Sequence, residues 1–114
     1  LSLGKKMKLL ITGSRTLTGD EVKKIVHSRL DGLHSERPIS VLISGNASGI
    51  DRIAEEWAIA HKIAIKIFTP EWKTYGRRAG IVRNIEMIRM ADEVFAFWNG
   101  KSKSTRHAIE RADR

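Results

Sequence analysis

Hydrophobic residues in this chain form two kinds of pattern, which alternate along its length. Short apolar runs are typical of buried strands, and they lie at Lys8–Thr12, Ser40–Ser44, Ile63–Thr69 and Asp92–Trp98. Longer stretches with apolar residues every three or four positions are typical of amphipathic helices, and they lie at Asp20–Leu33, Ile50–His61, Ile81–Met90 and from about Ser104 to Ala112. A polar loop is predicted at Glu71–Gly80.

The predicted order is therefore β-α-β-α-β-α-β-α. Alternation of this kind is typical of a three-layer α/β sandwich, because parallel strands are joined by crossover helices. We expect a mostly parallel sheet of four strands, or of five if one more strand completes it. With 114 residues the chain holds one domain, expected over residues 7–114. Residues 1–6 are expected to be flexible or foreign to the natural chain.

Composition narrows the class of protein. Hydrophobic residues make up 41% and charged residues 30%, which is typical of a globular protein and not of a disordered one. No apolar run approaches the roughly 18 residues of a membrane span. The absence of cysteine excludes disulfides and thiolate chemistry, and the four scattered histidines predict no metal site. We expect a cytoplasmic protein that binds no membrane.

The charge balance is strongly basic. Lys and Arg number 21 against 13 Asp and Glu, which gives a formal net charge of +8. Such an excess of positive charge attracts phosphates and polyanions. The alternative is that the charge only keeps a small protein soluble. The positions of the arginines decide between these two interpretations.

Glycine, arginine and hydroxyl residues are concentrated directly after the predicted strands. These segments are Gly13–Thr16, Gly45–Asp51, Tyr75–Asn84 and Asn99–Thr105, whereas the predicted turn His34–Ile39 at the opposite edge has no glycine. The carboxyl ends of parallel strands meet at one edge, and ligands bind there in open α/β sheets. The sequence therefore predicts a binding site at this edge.

The residue types at this edge point to a phosphate-bearing ligand. Glycine lets backbone N–H groups approach an anion, helix N-termini attract it, and arginine binds phosphate oxygens in pairs. The candidate binding residues are Gly13, Ser14, Arg15, Gly45, Asn46, Ala47, Ser48, Gly49, Asp51, Arg78, Arg83, Asn84, Gly100, Ser104 and Thr105.

Several of these residues have a structural alternative. The candidate hydroxyls, those of Ser14, Ser48, Ser104 and Thr105, either bind the ligand or cap helices. Asp51 either stabilises the dipole of the helix that it begins or accepts a ligand hydroxyl, and it is the candidate if the site is catalytic. Arg77 and Arg78 are alternatives to each other.

The aromatic residues also divide by position. Trp57 lies on an apolar helix face and is expected in the core. Trp72, Tyr75 and Trp98 lie near loops, where one of them can stack on a base, and core packing is the favoured role of Trp98.

Three segments carry a family resemblance. They are Thr12–Arg15, Ser44–Asp51 with Glu56–Ala58, and Gly76–Asn84 with Met87. Together they resemble the YspA/YpsA-related branch of the SLOG superfamily, over Lys8 to about Ala112. The resemblance implies a Rossmann-like fold and a nucleotide or a nucleotide-derived ligand. An ADP-ribose-like or NAD-like ligand is a candidate, and no cofactor is assigned beyond it.

A comparison with the LONELY GUY phosphoribohydrolases bears on catalysis. Arg83-Asn84-Ile85-Glu86-Met87 resembles their Arg-Lys-x-x-Met element, with Asn84 in place of lysine. Asn99–Ala108 corresponds to their Pro-Gly-Gly-x-Gly-Thr-x-x-Glu element, in which Ala108 takes the place of the catalytic glutamate. Glu110 lies roughly 200° further around the predicted helix. The resemblance therefore favours binding over cleavage of an N-glycosidic bond, which needs a carboxylate near the ribose.

Three hypotheses follow. The first is a domain that binds or senses a nucleotide ligand, and the second is a hydrolase that cleaves an N-glycosidic bond, with Asp51 as its carboxylate. The third is a module that binds single-stranded nucleic acid, because the superfamily includes DNA-processing protein A and the chain end is basic. A homodimer is also compatible with the short sheet, since relatives pair through helices.

Overall fold

The computed structural model describes residues 6–97 and residue 109. Its strands are β1 (Met7–Gly13), β2 (Ile39–Ser44), β3 (Ala64–Ile67) and β4 (Glu93–Phe97). Its helices are α1 (Asp20–Glu36), α2 (Ile50–Ala60), the single turn α3 (Trp72–Tyr75) and α4 (Ala79–Met90), and a 3-10 turn covers Gly76–Arg78. Within the described part of the chain, no helix has the length and apolarity to cross a membrane.

The four strands form one parallel sheet in the order β3-β2-β1-β4. At the centre, Leu10 of β1 pairs with Ile43 of β2 on one side and with Val94 of β4 on the other. The chain moves outward from β1 to β3 and then returns to β4, so the strand order reverses between β1 and β4. Ligands bind at such a reversal in open α/β sheets.

Helices cover both faces of this sheet. In β1, Leu9 and Ile11 belong to a core cluster shared with α1 and α2, while Leu10 between them packs with Met87 of α4. Because crossovers between parallel strands are right-handed, a chain that reverses its direction along the sheet places its helices on opposite faces. The predicted Rossmann-like α/β sandwich is thus confirmed.

At the amino edge of the sheet, aromatic side chains hold α1 and α2 together. Trp57 is buried, as predicted, and its Nε1 donates a hydrogen bond to Asp31 Oδ1 at 2.8 Å. The ring of Trp57 stacks on His61 with centroids 4.3 Å apart and meets the edge of His34 at 5.6 Å. The cluster joins the C-terminal halves of α1 and α2, and the N-terminal ends of both helices lie at the carboxyl edge of the sheet.

The predicted loop Glu71–Gly80 is wrong in part. Glu71 O accepts hydrogen bonds from the N–H groups of Thr74 and Tyr75 at 3.1 and 3.0 Å, which close the turn of α3. The 3-10 turn follows, and α4 begins at Ala79 instead of Ile81. Residues 71–78 are all exposed. These turns therefore lack the regularly spaced buried apolar residues by which a helix is predicted from sequence.

The other predicted boundaries within the described residues agree with the structure or differ from it by at most three residues. The predicted helix from Ser104 to Ala112 and the end of the fourth strand at Trp98 lie outside the described residues, apart from Ile109, which is helical.

Two glycines allow α2 to begin directly against the end of β1. A Cβ atom on Gly13 would lie 2.4 Å from Ile50 Cγ1. Gly49 has φ +78°, and a Cβ there would lie 2.8 Å from the carbonyl oxygen of Arg15 and 2.9 Å from that of Ser14. The loops after β1 and β2 are therefore in backbone contact.

We expect Gly13→Ala to lower the free energy of unfolding by about 3 kcal/mol, because the added methyl group overlaps Ile50 and must push α2 from the sheet. The matched control is Gly32→Ala in the exposed middle of α1, where a Cβ meets no atom within 4 Å. That variant should gain about 0.5–1 kcal/mol from helix propensity. Urea unfolding of both variants checks the prediction, and a Gly13→Ala protein as stable as wild type would contradict the packing described.

Candidate functional site

Three chain segments meet at the carboxyl edge of the sheet. Gly49 contacts the carbonyl groups of Ser14 and Arg15, and the Ser14 N–H donates to the Phe97 carbonyl at the end of β4 at 2.9 Å. The ends of β1 and β4 are therefore joined to the loop after β2. The sequence-predicted residues of the first two loops come together as expected from the parallel topology.

The loop after β2 is shaped by hydrogen bonds to its own side chains. Asn46 N–H donates to Ser44 Oγ at 3.1 Å, and Ser44 Oγ donates to the buried Glu55 at 2.6 Å. Ala47 N–H donates to Asp51 Oδ2 at 3.1 Å. Asn46 has φ +56°, a conformation that asparagine tolerates better than most residues. The N–H groups of Asn46 and Ala47, which the sequence predicts as phosphate donors, thus already donate hydrogen bonds within the protein.

Gly45 gives a carboxylate and a guanidinium access to the same point. A Cβ on Gly45 would lie 3.3 Å from Asp51 Oδ2 and 3.3 Å from Arg83 Nη1. Asp51 is only 5% exposed and lies in the first turn of α2, as predicted. Arg83 reaches this point from α4, on the other face of the sheet. Opposite charges from two layers therefore converge beside Gly45.

The environment of Asp51 disfavours its charged form. Burial raises the pKa of Asp51 to about 6, although the hydrogen bond from Ala47 and the charge of Arg83 act to lower it. Glu55 contributes further to the rise. Among the described residues, Asp51 Oδ1 is buried without a hydrogen-bond partner. A carboxylate held in this way at a ligand-binding edge is typical of functional sites.

Two arginines contribute positive charge at this edge, Arg83 from α4 and Arg15 from the loop after β1. Burial lowers the pKa of Arg83, the charge of Asp51 opposes this effect, and the charge of Arg15 adds to it. The positive charge of Arg15 therefore acts on the Arg83 guanidinium and disfavours its charged form. The site thus combines the guanidinium groups of Arg15 and Arg83 with the carboxyl groups of Asp51 and Glu55.

The remaining predicted residues lie in different surroundings. Ser14 is buried and Ser48 is exposed. Neither caps a helix, because the N-caps of α1 and α2 are Gly19 and Gly49. Asn84 is buried in α4, next to Arg83.

Arg78 is exposed in the 3-10 turn and lies outside the buried group formed by Asp51 and Arg83. Gly100, Ser104 and Thr105 lie outside the described residues.

Ser44 and Glu55 were missed from the sequence. Both are buried, and together they fix the N–H group of Asn46. One signal was available, since Asp51 and Glu55 are four residues apart and such residues lie on the same side of a helix.

A groove of about 270 Å³ extends from this edge between the first turns of α1 and α2. Its lining includes Gly19, Gly49 and Arg52, together with an ion pair of Lys23 and Glu56 at 3.3 Å. Gly49 belongs to both the groove and the packed backbone of the two loops, whereas Asp51 and Arg83 do not line the groove.

Comparisons with known proteins identify the family. The family described as "YspA, cpYpsA-related SLOG family" matches residues 7–75. The chain is also 36% identical over 113 residues to the Gene 61 protein of Mycobacterium phage D29, with 94% of this chain and 89% of that protein covered. The protein belongs to the YspA, cpYpsA-related SLOG family.

No solved structure matches this SLOG protein with significant similarity. The matched residues 7–75 contain the loops after β1 and β2. Family membership fits a nucleotide-related role in binding or processing.

Asp51 makes the stability of the SLOG protein depend on pH. Because its pKa is raised from 3.8 to about 6 in the folded state, its contribution to stability is complete below about pH 4 and is lost as the pH rises through 6. We expect the wild type to lose about 3 kcal/mol, relative to Asp51→Asn, between about pH 4 and pH 7.5. Urea unfolding of both proteins across this pH range measures the change in their difference in stability.

The matched control is Asp20→Asn, since Asp20 is an exposed carboxylate in the first turn of α1. This variant loses a favourable interaction with the helix dipole and should be slightly less stable at about pH 7.5. Equal pH profiles for wild type and Asp51→Asn would show that Asp51 is not titrating in a buried site.

Proposed function

We propose that this protein binds a nucleotide or nucleotide-derived phosphate ligand at the carboxyl edge of the sheet, and that it acts as a binding or sensor domain. The observation that carries the proposal is the convergence of Arg83 Nη1 and Asp51 Oδ2 beside Gly45, at the carboxyl edge of the sheet. The charge of Arg15, in the loop after β1, also acts on Arg83, and a bound anion offsets these two positive charges.

Phosphate is the anion that suits these two residues best. Each guanidinium presents a planar fork of donors that matches two phosphate oxygens. The arginines also lie where the strand order reverses, at the usual ligand position of open α/β sheets. The loop after β2 is a weaker phosphate cradle, because the N–H groups of Asn46 and Ala47 already donate within the protein. Gly100, Ser104 and Thr105 are proposed to complete the phosphate site.

Asp51 is proposed to accept a hydroxyl group of the same ligand. Its Oδ2 receives the Ala47 N–H, whereas Oδ1 is buried and has no partner among the described residues. A ligand with both phosphate and vicinal hydroxyl groups, such as a ribonucleotide, satisfies the arginines and the carboxylate together. This combination, added to the family's nucleotide-related role, favours AMP, ADP-ribose or NAD as the first compounds to test.

The test is isothermal titration calorimetry with these three compounds. We expect Arg83→Ala and Arg15→Ala each to weaken binding by at least about tenfold, since a hydrogen bond to a charged group contributes about 1.5–3 kcal/mol. Arg83→Lys should bind less tightly than wild type because lysine lacks the fork. Arg89→Ala is the control, since Arg89 is exposed in the last turn of the same helix.

Unchanged affinity in Arg83→Ala, or an equally large decrease in Arg89→Ala, would contradict the proposed phosphate position. The melting temperature of each variant, measured without ligand, shows whether weaker binding comes from the missing guanidinium or from a destabilised fold.

A second function is favoured by one observation, the pKa of about 6 at Asp51. A buried carboxyl group that titrates near neutral pH is suited to general acid–base catalysis, and cleavage of an N-glycosidic bond needs such a carboxylate. Incubation of the protein with whichever nucleotide binds, followed by chromatography for free base, tests this function. Base released by wild type and not by Asp51→Asn would establish a hydrolase, whereas tight binding without product would leave a binding domain.

A further inference from the structure

We infer that the exposed segment Glu71–Arg78 is a surface that binds single-stranded nucleic acid, with bases stacked on Trp72 and Tyr75 and phosphates on the neighbouring basic residues. This inference does not rest on the proposed nucleotide site. It rests on the exposure, spacing and charge of residues that the fold does not use.

The first observation is the exposure of two large aromatic side chains. Trp72 is 60% exposed and Tyr75 is 43% exposed, whereas Trp57 in the core is 1% exposed. Tryptophan is one of the most buried residue types on average, and it stabilises a fold by removing a large apolar area from water. Because most of its side chain remains in water, Trp72 contributes little to the stability of the fold, and its aromatic surface is available to a partner.

The second observation is that the backbone holds these rings on one side of the segment. Trp72 and Tyr75 are three residues apart in α3, and residues at this spacing lie on the same side of a helix. The turn is closed by hydrogen bonds to Glu71 O and ends at Gly76, which has φ +57°. Because main-chain bonds make the turn, either ring can be removed without dismantling it.

The third observation is the charge around the rings. The segment contains Lys73, Arg77 and Arg78, all exposed, against a single carboxylate at Glu71. It follows β3, an edge strand of the described sheet, which carries the exposed Lys66. Aromatic rings with interleaved cations match single strands, in which unpaired bases stack on rings and phosphates bind lysine and arginine. A duplex keeps its bases stacked internally and offers none to the rings.

The shape of the surface favours an open ligand over an enclosed one. The crevice that Tyr75 shares with Arg83 has a volume of only about 10 Å³. This is the space of about one water molecule, so no base fits inside it. Stacking on these rings therefore takes place on the outer surface of the segment.

Fluorescence anisotropy with a labelled oligothymidylate about 12 nucleotides long tests this inference. We expect Trp72→Ala and Tyr75→Ala each to weaken binding by about tenfold or more, since stacking of one base is worth about that factor. Trp72→Phe should retain most of the affinity because it keeps a ring. Ile59→Ala is the matched control, since Ile59 is a 68% exposed apolar residue on α2, and it should leave binding unchanged.

Salt dependence tests the charged part of the surface. Between about 50 and 200 mM salt, replacement of Arg77 or Arg78 by alanine should reduce the slope of log affinity against log salt by about 0.7 for each phosphate that the arginine neutralises. Lys24→Ala on α1 is the control and should leave the slope unchanged.

The outcomes separate this inference from the proposed nucleotide site. Oligonucleotide binding that is lost in Trp72→Ala but retained in Arg83→Ala supports the surface, whatever the result with small nucleotides. Equal affinity of wild type and Trp72→Ala would overturn it, and so would equal affinity for a duplex of the same length. Self-association that disappears in Trp72→Ala, without any binding of the oligonucleotide, would identify an interface between copies and overturn the inference as well.

Discussion

The beginning of α2 lies directly on the end of β1, and the arrangement of the site depends on this packing. Ile50 occupies the space that any side chain at position 13 would need, and Gly49 contacts the carbonyl groups of Ser14 and Arg15. Since the first turn of α2 is fixed in this way, Asp51 faces the point that Arg83 reaches from the other side of the sheet. The close backbone packing of β1 against α2 thus brings the charges of Asp51 and Arg83 together.

The same packing has an energetic cost at neutral pH. Asp51 is kept ionised in surroundings that favour its neutral form, and the positive charge of Arg83 offsets only part of the effect. Natural proteins retain destabilising groups of this kind where binding or catalysis requires them. In the proposed complex, a ligand hydroxyl group supplies the hydrogen bond that Asp51 Oδ1 lacks among the described residues.

The sequence predicted the sheet, the long helices and the edge where the loops meet, because hydrophobic period and parallel topology are local and general rules. It did not predict α3, since a turn whose residues are all exposed has no buried face to generate a period. It also did not show that Ser44 and Asp51 take the N–H groups of Asn46 and Ala47. Those bonds depend on how the loop bends, and the asparagine at position 46 indicates only that a positive φ is tolerated there, not which partners the N–H groups find.

The edge strand β3 has a consequence for assembly. It has only four residues, and an exposed lysine, Lys66, lies in its middle. Another strand that added to this edge would have to cover the ammonium group or lie beside it, which is a common protection against the growth of sheets from one molecule to the next. The described sheet is therefore protected on its β3 side against edge-to-edge pairing with a second molecule.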